Sequence, residues 1–88
     1  MGEAYVEMFT SAGCVGCPAV KKILAELAGE LDGDVEVEEV DITADTTRAA
    51  EYGIMSVPAV VVNGVLKCTG VATREELRKA IAEELGES

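Results

Sequence analysis

The sequence predicts an α/β domain in which three helices flank a four-stranded mixed sheet, in the order β-α-β-α-β-β-α. Two observations predict this class. Some segments repeat apolar residues at spacings of three and four, which is typical of amphipathic helices. Between them lie short runs rich in β-branched residues and bounded by Gly, Pro or Asn, which are typical of strands. The length of 88 residues and the hydrophobic content of 49% predict one packed domain over residues 1–88.

The first half of the chain predicts a parallel pair of strands joined by a helix. Residues 3–9 form the first strand, and a turn over 10–13 follows it. Residues 15–31 form a helix with one apolar face. That face carries Val20, Ile23, Leu24, Leu27 and Leu31. The second strand spans 35–42, but its apolar alternation shifts by one at Glu38-Glu39, so its register is not predicted.

The second half predicts a short helix, a hairpin and a final helix. The short helix spans 45–52, with Asp45 as its N-cap. Strands over 59–62 and 65–69 flank Asn63-Gly64, which is a strong signal for a two-residue hairpin turn.

The final helix spans residues 73–85. Its start, Thr73-Arg74-Glu75-Glu76, fits a capping box. Its buried stripe comprises Leu77, Ala80, Ile81 and Leu85.

The composition limits the partners that the chain can bind. Seventeen acidic and seven basic residues give a net charge of −10. Such a surface repels phosphate backbones and anionic membranes, so we expect neither nucleic acid nor membranes as partners. A protein with a basic docking face would be attracted, although solubility alone explains the charge equally well. Neither a secretory signal nor a membrane-spanning run is visible, which predicts a cytoplasmic protein.

Three cysteines are the candidates for chemistry. Cys14 and Cys17 form a close pair, Cys68 lies alone, and the chain has no His. These residues cannot complete a structural zinc site within one chain. In a reducing compartment, such a pair is more often catalytic or metal-binding than structural. Cys68 is expected to share the inward face of its strand with Leu66 as a small buried hydrophobe; a regulatory or glutathionylatable thiol is the alternative.

The position of the pair predicts the roles of its thiols. Thiol–disulfide exchange needs a thiolate, and a free cysteine with a pKa of about 8.5 supplies little at neutral pH. Because the predicted helix begins near Val15, its unpaired N–H groups and dipole would stabilise a Cys14 thiolate. Cys14 is therefore the predicted nucleophile, and Cys17, one turn further on, is the predicted resolving thiol. Gly16 would let other backbone approach closely, and Pro18 suits the first turn.

These features resemble the thioredoxin-like superfamily. The resemblance lies in the order of elements, the Cys-x-x-Cys at a strand–helix junction and the Val57-Pro58 dipeptide before the third strand. The length, Pro18 and the Gly70-Val71 turn before the last helix resemble the small, glutaredoxin-sized archaeal thioredoxin/glutaredoxin-like redox proteins. The resemblance covers essentially the whole chain.

The resemblance implies a substrate platform beside the two cysteines. Pro58 would be cis and face the pair, the backbone of Val57 would bind an extended substrate as an added strand, and Gly70 would complete the groove wall. The alternatives are a trans proline that starts an edge strand and a plain turn glycine.

Three departures from the family pattern affect the expected chemistry. Many thioredoxins carry Pro within the motif and a buried Asp six residues before it, whereas Val15-Gly16 and Met8 stand here. Glu7 is adjacent to Met8 but is expected on the opposite face of the strand, so water would carry the proton and the redox potential is not predicted. Two of the three glutathione-holding features of glutaredoxins are missing or weakened, so glutathione is not an expected partner.

We therefore predict a protein-disulfide reductase whose redox-active dithiol is Cys14 and Cys17, with Val57, Pro58 and Gly70 as substrate-binding residues. It is expected to be a monomer that needs no cofactor or metal, receives electrons from a separate reductase and passes them to disulfide-containing proteins. Two alternatives stay open. One is a metal or iron–sulfur carrier that shares the cysteine pair across a dimer; the other is a non-catalytic interaction module of the same fold.

Overall fold

A computed structural model describes residues 3–31 and 34–86. Within them, the elements follow the predicted order. The strands are β1 (Glu3–Thr10), β2 (Asp34–Asp41), β3 (Ala59–Val62) and β4 (Val65–Thr69); the helices are α1 (Cys17–Glu30), α2 (Thr46–Glu51) and α3 (Arg74–Leu85). The strands form a sheet in the order β2-β1-β3-β4, with β2 parallel to β1 and the other neighbours antiparallel. The predicted fold class is confirmed.

The sheet separates two apolar clusters. Helices α1 and α3 pack against each other and over one face, where they cover the larger cluster. Its fully buried members include Val6, Val20, Leu24, Leu27, Leu77 and Ile81. The short helix α2 lies over the opposite face, above the smaller cluster. That cluster comprises Phe9, Val40, Ala49, Ala59 and Val61. Because β3 is covered on both faces, all of its residues are buried.

The register of β2 explains the shift in its apolar pattern. Ala4 pairs with Val35, and Phe9 pairs with Val40. Val35 packs against the larger cluster and Val40 belongs to the smaller one. The apolar residues of this strand therefore change face at Glu38-Glu39, since each end of the strand contributes to a different cluster.

Local signals for turns and caps are confirmed. Asn63 and Gly64 have φ angles of 51° and 81°, as a two-residue hairpin turn requires. The Asp45 carboxylate accepts a hydrogen bond of 3.1 Å from a backbone N–H in the first turn of α2. The Thr73 hydroxyl accepts from the Glu76 N–H at 3.2 Å, and the Glu76 carboxylate accepts from the Thr73 N–H at 3.1 Å. The second of these bonds holds the pKa of Glu76 below its usual value.

The boundaries of α1 differ from the prediction. The helix begins at Cys17, two residues later than expected, and Gly16 is its N-cap. Pro18 explains the later start, because proline is favoured in the first turn, where its missing N–H would have no helical partner. The helix ends at Glu30, one residue before the predicted end.

A bulge in β4 places Leu66 and Cys68 on opposite faces of the sheet. Val60 pairs with Cys68 and Val61 pairs with Leu66, which leaves Lys67 as an extra residue. Val60 belongs to the larger cluster and Val61 to the smaller one. The prediction that Leu66 and Cys68 share one face is therefore wrong, because the extra residue interrupts the two-residue alternation of the strand.

Candidate active site

A disulfide between Cys14 and Cys17 is the centre of the candidate site. It lies between β1 and α1, with the two Cα atoms 5.5 Å apart. Cys17 is only 3% exposed and belongs to the larger apolar cluster. Cys14 is half-buried at the edge of that cluster. Cys14 is therefore the more accessible member of the pair.

The loop before α1 places both cysteines at the N-terminal end of the helix. The Cys14 N–H donates to the Ser11 carbonyl at 3.2 Å, and Gly13 within this turn has a φ of 83°, which favours glycine. The first turn of α1 contains no acidic residue. The N–H groups and the positive dipole end of this turn favour a thiolate close to them. The later helix start leaves Cys14 just ahead of the N-cap, and Cys17 takes the first helical position.

The predicted substrate residues lie on two adjoining loops. The Val57–Pro58 peptide bond is cis, as the resemblance implies. The Gly70 N–H donates to the Pro58 carbonyl at 2.7 Å, which joins the loop after α2 to the turn after β4. A Cβ atom built on Gly16 would lie 3.8 Å from Pro58 Cδ. Pro58 and Gly70 therefore lie next to the loop that carries the cysteines.

Val57 lies at the boundary of the two apolar clusters. Its side chain is half-buried and contacts both clusters. Across residues 3–31 and 34–86, no backbone hydrogen bond engages its N–H or carbonyl group. These groups are therefore available to pair with an extended peptide.

Three exposed apolar side chains stand on the loops of the site. Val15, between the cysteines, is 94% exposed; Met55, two residues before Val57, is 96% exposed; and Val71, next to Gly70, is 66% exposed. None of the three is predicted as a site residue from the sequence. Their only signal is an apolar side chain beside a motif residue, and one sequence does not tell whether such a side chain is buried.

The acidic residue nearest to the motif in β1 is held away from the cysteines. Met8 is buried in the cluster that contains Cys17, whereas Glu7 lies on the other face of the sheet, as expected. The Glu7 carboxylate accepts from the Tyr52 hydroxyl at 2.9 Å and from the Arg48 guanidinium at 3.2 Å. The hydrogen bond to Glu7 raises the pKa of Tyr52. Glu7 therefore anchors α2 and does not lie beneath the reactive pair.

The third cysteine has different surroundings. Cys68 is half-buried in β4 and packs against the larger cluster. Burial raises the pKa of its thiol, and the negative charge of Glu76 raises it further. A Cys68 thiol therefore stays protonated and weakly nucleophilic at neutral pH.

Two other kinds of feature are absent from residues 3–31 and 34–86. No group of three or more His, Cys, Asp or Glu side chains is placed there to hold a metal ion. In those ranges, too, every helix falls short of the length and apolar character needed to cross a membrane.

Sequence comparison identifies a family. A family model for the thioredoxin domain matches residues 5–82. A thioredoxin of Methanocaldococcus jannaschii is 41% identical over 85 residues, which cover 97% of this chain and 100% of that protein. A probable thioredoxin of Methanothermobacter thermautotrophicus is 41% identical over 80 residues, which cover 91% of this chain and 94% of that protein.

Structural comparison identifies the same fold. A mutant thioredoxin from Halobacterium salinarum superposes with a TM-score of 0.80 at 20% identity, over 96% of this chain and 76% of that one. A malarial protein superposes with a TM-score of 0.77 at 16% identity, over 96% of this chain and 99% of that one. At these identities the likeness shows the fold alone.

Proposed function

The chain belongs to the thioredoxin domain family, and we propose that it reduces disulfide bonds in other proteins, with Cys14 as the attacking thiol and Cys17 as the resolving thiol. Membership of this family makes the chain a thiol–disulfide oxidoreductase. Beyond this, we propose that electrons flow from the Cys14–Cys17 dithiol to the substrate and that the two cysteines have different roles. The unequal exposure of the two cysteines is the observation that supports the assignment of these roles.

The reaction proceeds in two exchanges. The Cys14 thiolate attacks one sulfur of the substrate disulfide, so that a mixed disulfide forms and the other substrate sulfur leaves as a thiolate. The Cys17 thiolate then attacks the Cys14 sulfur, which closes the Cys14–Cys17 disulfide and releases the second substrate thiolate. Two electrons pass from the protein dithiol to the substrate, and the two released sulfurs take up two protons.

Burial and helix position support this assignment of roles. Cys14 lies at the edge of the larger cluster, where a substrate sulfur can approach it. Cys17, which is 3% exposed, is shielded from other thiols and reacts within the mixed disulfide. Both lie at the N-terminal end of α1, which favours their thiolates. Because Glu7 is engaged by Tyr52 on the other face, we assign proton transfer to water at the exposed side of Cys14.

Val57, Pro58 and Gly70 form the proposed substrate platform. The N–H and carbonyl of Val57 bind an extended substrate segment as an added strand, and the bond between Gly70 and Pro58 holds the two loops together. The exposed side chains of Val15 and Met55 provide apolar contacts at the edge of this platform.

The partners follow from the chemistry. Members of this family act on disulfide-containing substrates and are reduced by a separate reductase. We propose that both partners of this chain are proteins, that glutathione and nucleic acids are not bound, and that residues 1–88 act as a monomeric domain in the cytoplasm. The proposed reaction supports this location, because it consumes a dithiol and the cytoplasm is a compartment that keeps thiols reduced.

Reduction of insulin by dithiothreitol tests the function. We expect the wild-type chain to accelerate it and Cys14→Ser to abolish the acceleration, since the attacking sulfur is gone. In a separate incubation with oxidised insulin and no dithiothreitol, the pre-reduced Cys17→Ser protein is expected to accumulate mixed disulfides on Cys14, which non-reducing electrophoresis and mass spectrometry would detect.

Cys68→Ser is the matched control, because it removes a thiol outside the motif. We expect it to retain the wild-type rate. Full activity of Cys14→Ser, or accumulation of substrate on Cys17 when the Cys14→Ser protein is incubated in the same way, would refute the proposed roles.

A further inference from the structure

Gly16 lies in a narrow gap between the loop that carries Pro58 and the turn that carries Val71. A Cβ atom built on it would come closer than 3.0 Å to Val71 Cγ2, a separation that real Cβ atoms essentially never show, and 3.8 Å from Pro58 Cδ. Even the smallest side chain at position 16 would therefore displace Val71 or the loop that carries the cysteines.

The backbone of Val71 cannot move away easily. On one side, the Gly70 N–H donates to the Pro58 carbonyl at 2.7 Å. On the other side, Ala72 is buried and Thr73 is fixed in the capping box of α3. The side chain is also restrained, because a β-branched residue has few accessible χ1 rotamers. Val71 is nevertheless 66% exposed, so burial in the core does not explain its contact with Gly16.

The Gly16 side of the contact is held equally firmly. Its carbonyl accepts from the Val20 N–H at 3.3 Å, which begins the hydrogen bonding of α1. Its neighbour Cys17 is buried in the larger cluster, and the Cys14 N–H donates to the carbonyl of Ser11, three residues earlier in the chain. Displacement of Gly16 would therefore change the position of one cysteine relative to the other.

We propose that Val71 is a positioning residue that limits position 16 to glycine and thereby sets the equilibrium between the Cys14–Cys17 disulfide and its dithiol. Val71 packs on Gly16 and holds the cysteine loop against Pro58. The contact couples the turn after β4 to the spacing of the two sulfurs, and a disulfide tolerates only a narrow range of such spacings. The proposal rests on Cys14 and Cys17 being the reactive pair.

A pair of substitutions tests the coupling. Each variant is equilibrated in a buffer of reduced and oxidised dithiothreitol, and alkylation followed by mass spectrometry gives the fraction of disulfide. Gly16→Ala is expected to change the exchange equilibrium constant by at least about fivefold, which is roughly 20 mV for a two-electron couple. In a Val71→Ala background the same substitution is expected to change it by less than about twofold, which is a large departure from additivity.

The geometry gives the reason for this rescue. The built Cβ of position 16 lies 3.8 Å from Val71 Cβ, which is an ordinary contact distance. Val71→Ala retains that atom and removes the methyl group that conflicts. An alanine at position 16 then fits without moving the loop.

Two controls separate this coupling from general destabilisation. Gly29→Ala adds a methyl to α1 at a point where, among residues 3–31 and 34–86, no atom beyond its chain neighbours and the backbone of its own helix lies within 4 Å, and it is expected to leave the equilibrium constant unchanged. Val65→Ala removes an exposed valine from β4 and is not expected to rescue Gly16→Ala. The proposal would be overturned if Gly16→Ala left the exchange equilibrium constant unchanged. It would also be overturned if Gly16→Ala changed that constant equally in the wild-type and Val71→Ala backgrounds. Because this measurement does not use insulin, it can fail while the proposed reductase activity holds, and the reverse.

Discussion

At the scale of single residues, the surroundings of Cys14 and Cys68 predict very different reactivity. Cys14 lies just before the N-cap of α1 at the edge of the larger cluster. Cys68 lies in β4, where burial and the charge of Glu76 raise the pKa of its thiol. A nucleophilic thiol needs a large thiolate fraction and access to solvent. Both thiols are half-buried, so the difference lies in the thiolate fraction, which the N-terminus of α1 favours at Cys14 and which burial and the charge of Glu76 lower at Cys68.

We expect iodoacetamide to alkylate Cys14 at least about ten times faster than Cys68 in the reduced native protein at pH 7, since the rate follows the thiolate fraction and access. The Cys68 rate should rise only as the pH approaches the raised pKa of its thiol. Mass spectrometry of peptides sampled over time measures both rates.

Alkylation in guanidinium chloride provides the control, since unfolding removes the helix and the apolar cluster. There the two rates are expected to converge. Equal rates in the native protein would contradict the view that one thiol is activated and the other is suppressed.

How far a sequence predicts a site depends on how local its signals are. Cys14 and Cys17 could be placed from their spacing at a strand–helix junction, because both belong to one turn of chain. Val71 could not, because its contact with Gly16 joins residues far apart in the sequence and depends on where α3 begins. The exposure of Met55 also depends on packing between loops, which one sequence does not encode locally.

At the scale of elements, a buried carboxylate anchors the shortest helix. Glu7 is 4% exposed in β1, and it accepts hydrogen bonds from Tyr52 and Arg48, at the end of α2 and within it. Arg48 also contacts Glu38 of β2 at 3.1 Å. A helix of six residues has little stability of its own, so these bonds help to hold α2 on the sheet. The same helix leads into the loop of Val57 and Pro58.

Tyr52→Phe is expected to lower the free energy of unfolding by about 1–2 kcal/mol, because it leaves one oxygen of a buried carboxylate without its donor. Urea unfolding measures the change. The raised pKa of Tyr52 gives the effect a pH dependence. The stabilisation is complete below the ordinary tyrosine value of 10.0 and is lost as the pH rises through the raised value.

Tyr5→Phe is the matched control. The Tyr5 hydroxyl also donates to a carboxylate, that of Glu38, but this bond is exposed to solvent. Water replaces the lost donor there, so the expected change is smaller, under about 1 kcal/mol. Equal losses in the two variants would show that burial of Glu7 is not what makes its bond important.

Element boundaries show where local patterns stop being sufficient. The helices, the hairpin and the capping box could be predicted because each depends on residues a few positions apart. The bulge at Lys67 could not, because a strand accommodates an extra residue only in response to its partner, here β3. Likewise, Glu38-Glu39 marks a change of face in β2 that becomes interpretable only when the two apolar clusters are known.

At the scale of the whole molecule, charge is the dominant feature. The chain carries 17 acidic and 7 basic residues, a net charge of −10. A field of this size acts on every charged molecule that approaches the disulfide, and salt screens it over about 10 Å at 0.1 M. The partners that exchange fastest with the dithiol are therefore expected to be cationic.

Two small disulfides of opposite charge make this testable without a protein partner. The reduced chain is expected to react faster with cystamine, which carries two ammonium groups, than with dithiodipropionate, which carries two carboxylates. The measured quantity is the rate with cystamine divided by the rate with dithiodipropionate. This ratio for the reduced chain is then divided by the same ratio when dithiothreitol, which is neutral, is the reductant. The result should exceed one at about 20 mM salt and fall towards one at about 500 mM, because salt screens both the attraction and the repulsion. Stopped-flow measurements over this range give the ratio. A ratio that does not depend on salt would mean that the negative charge serves solubility alone and does not select partners.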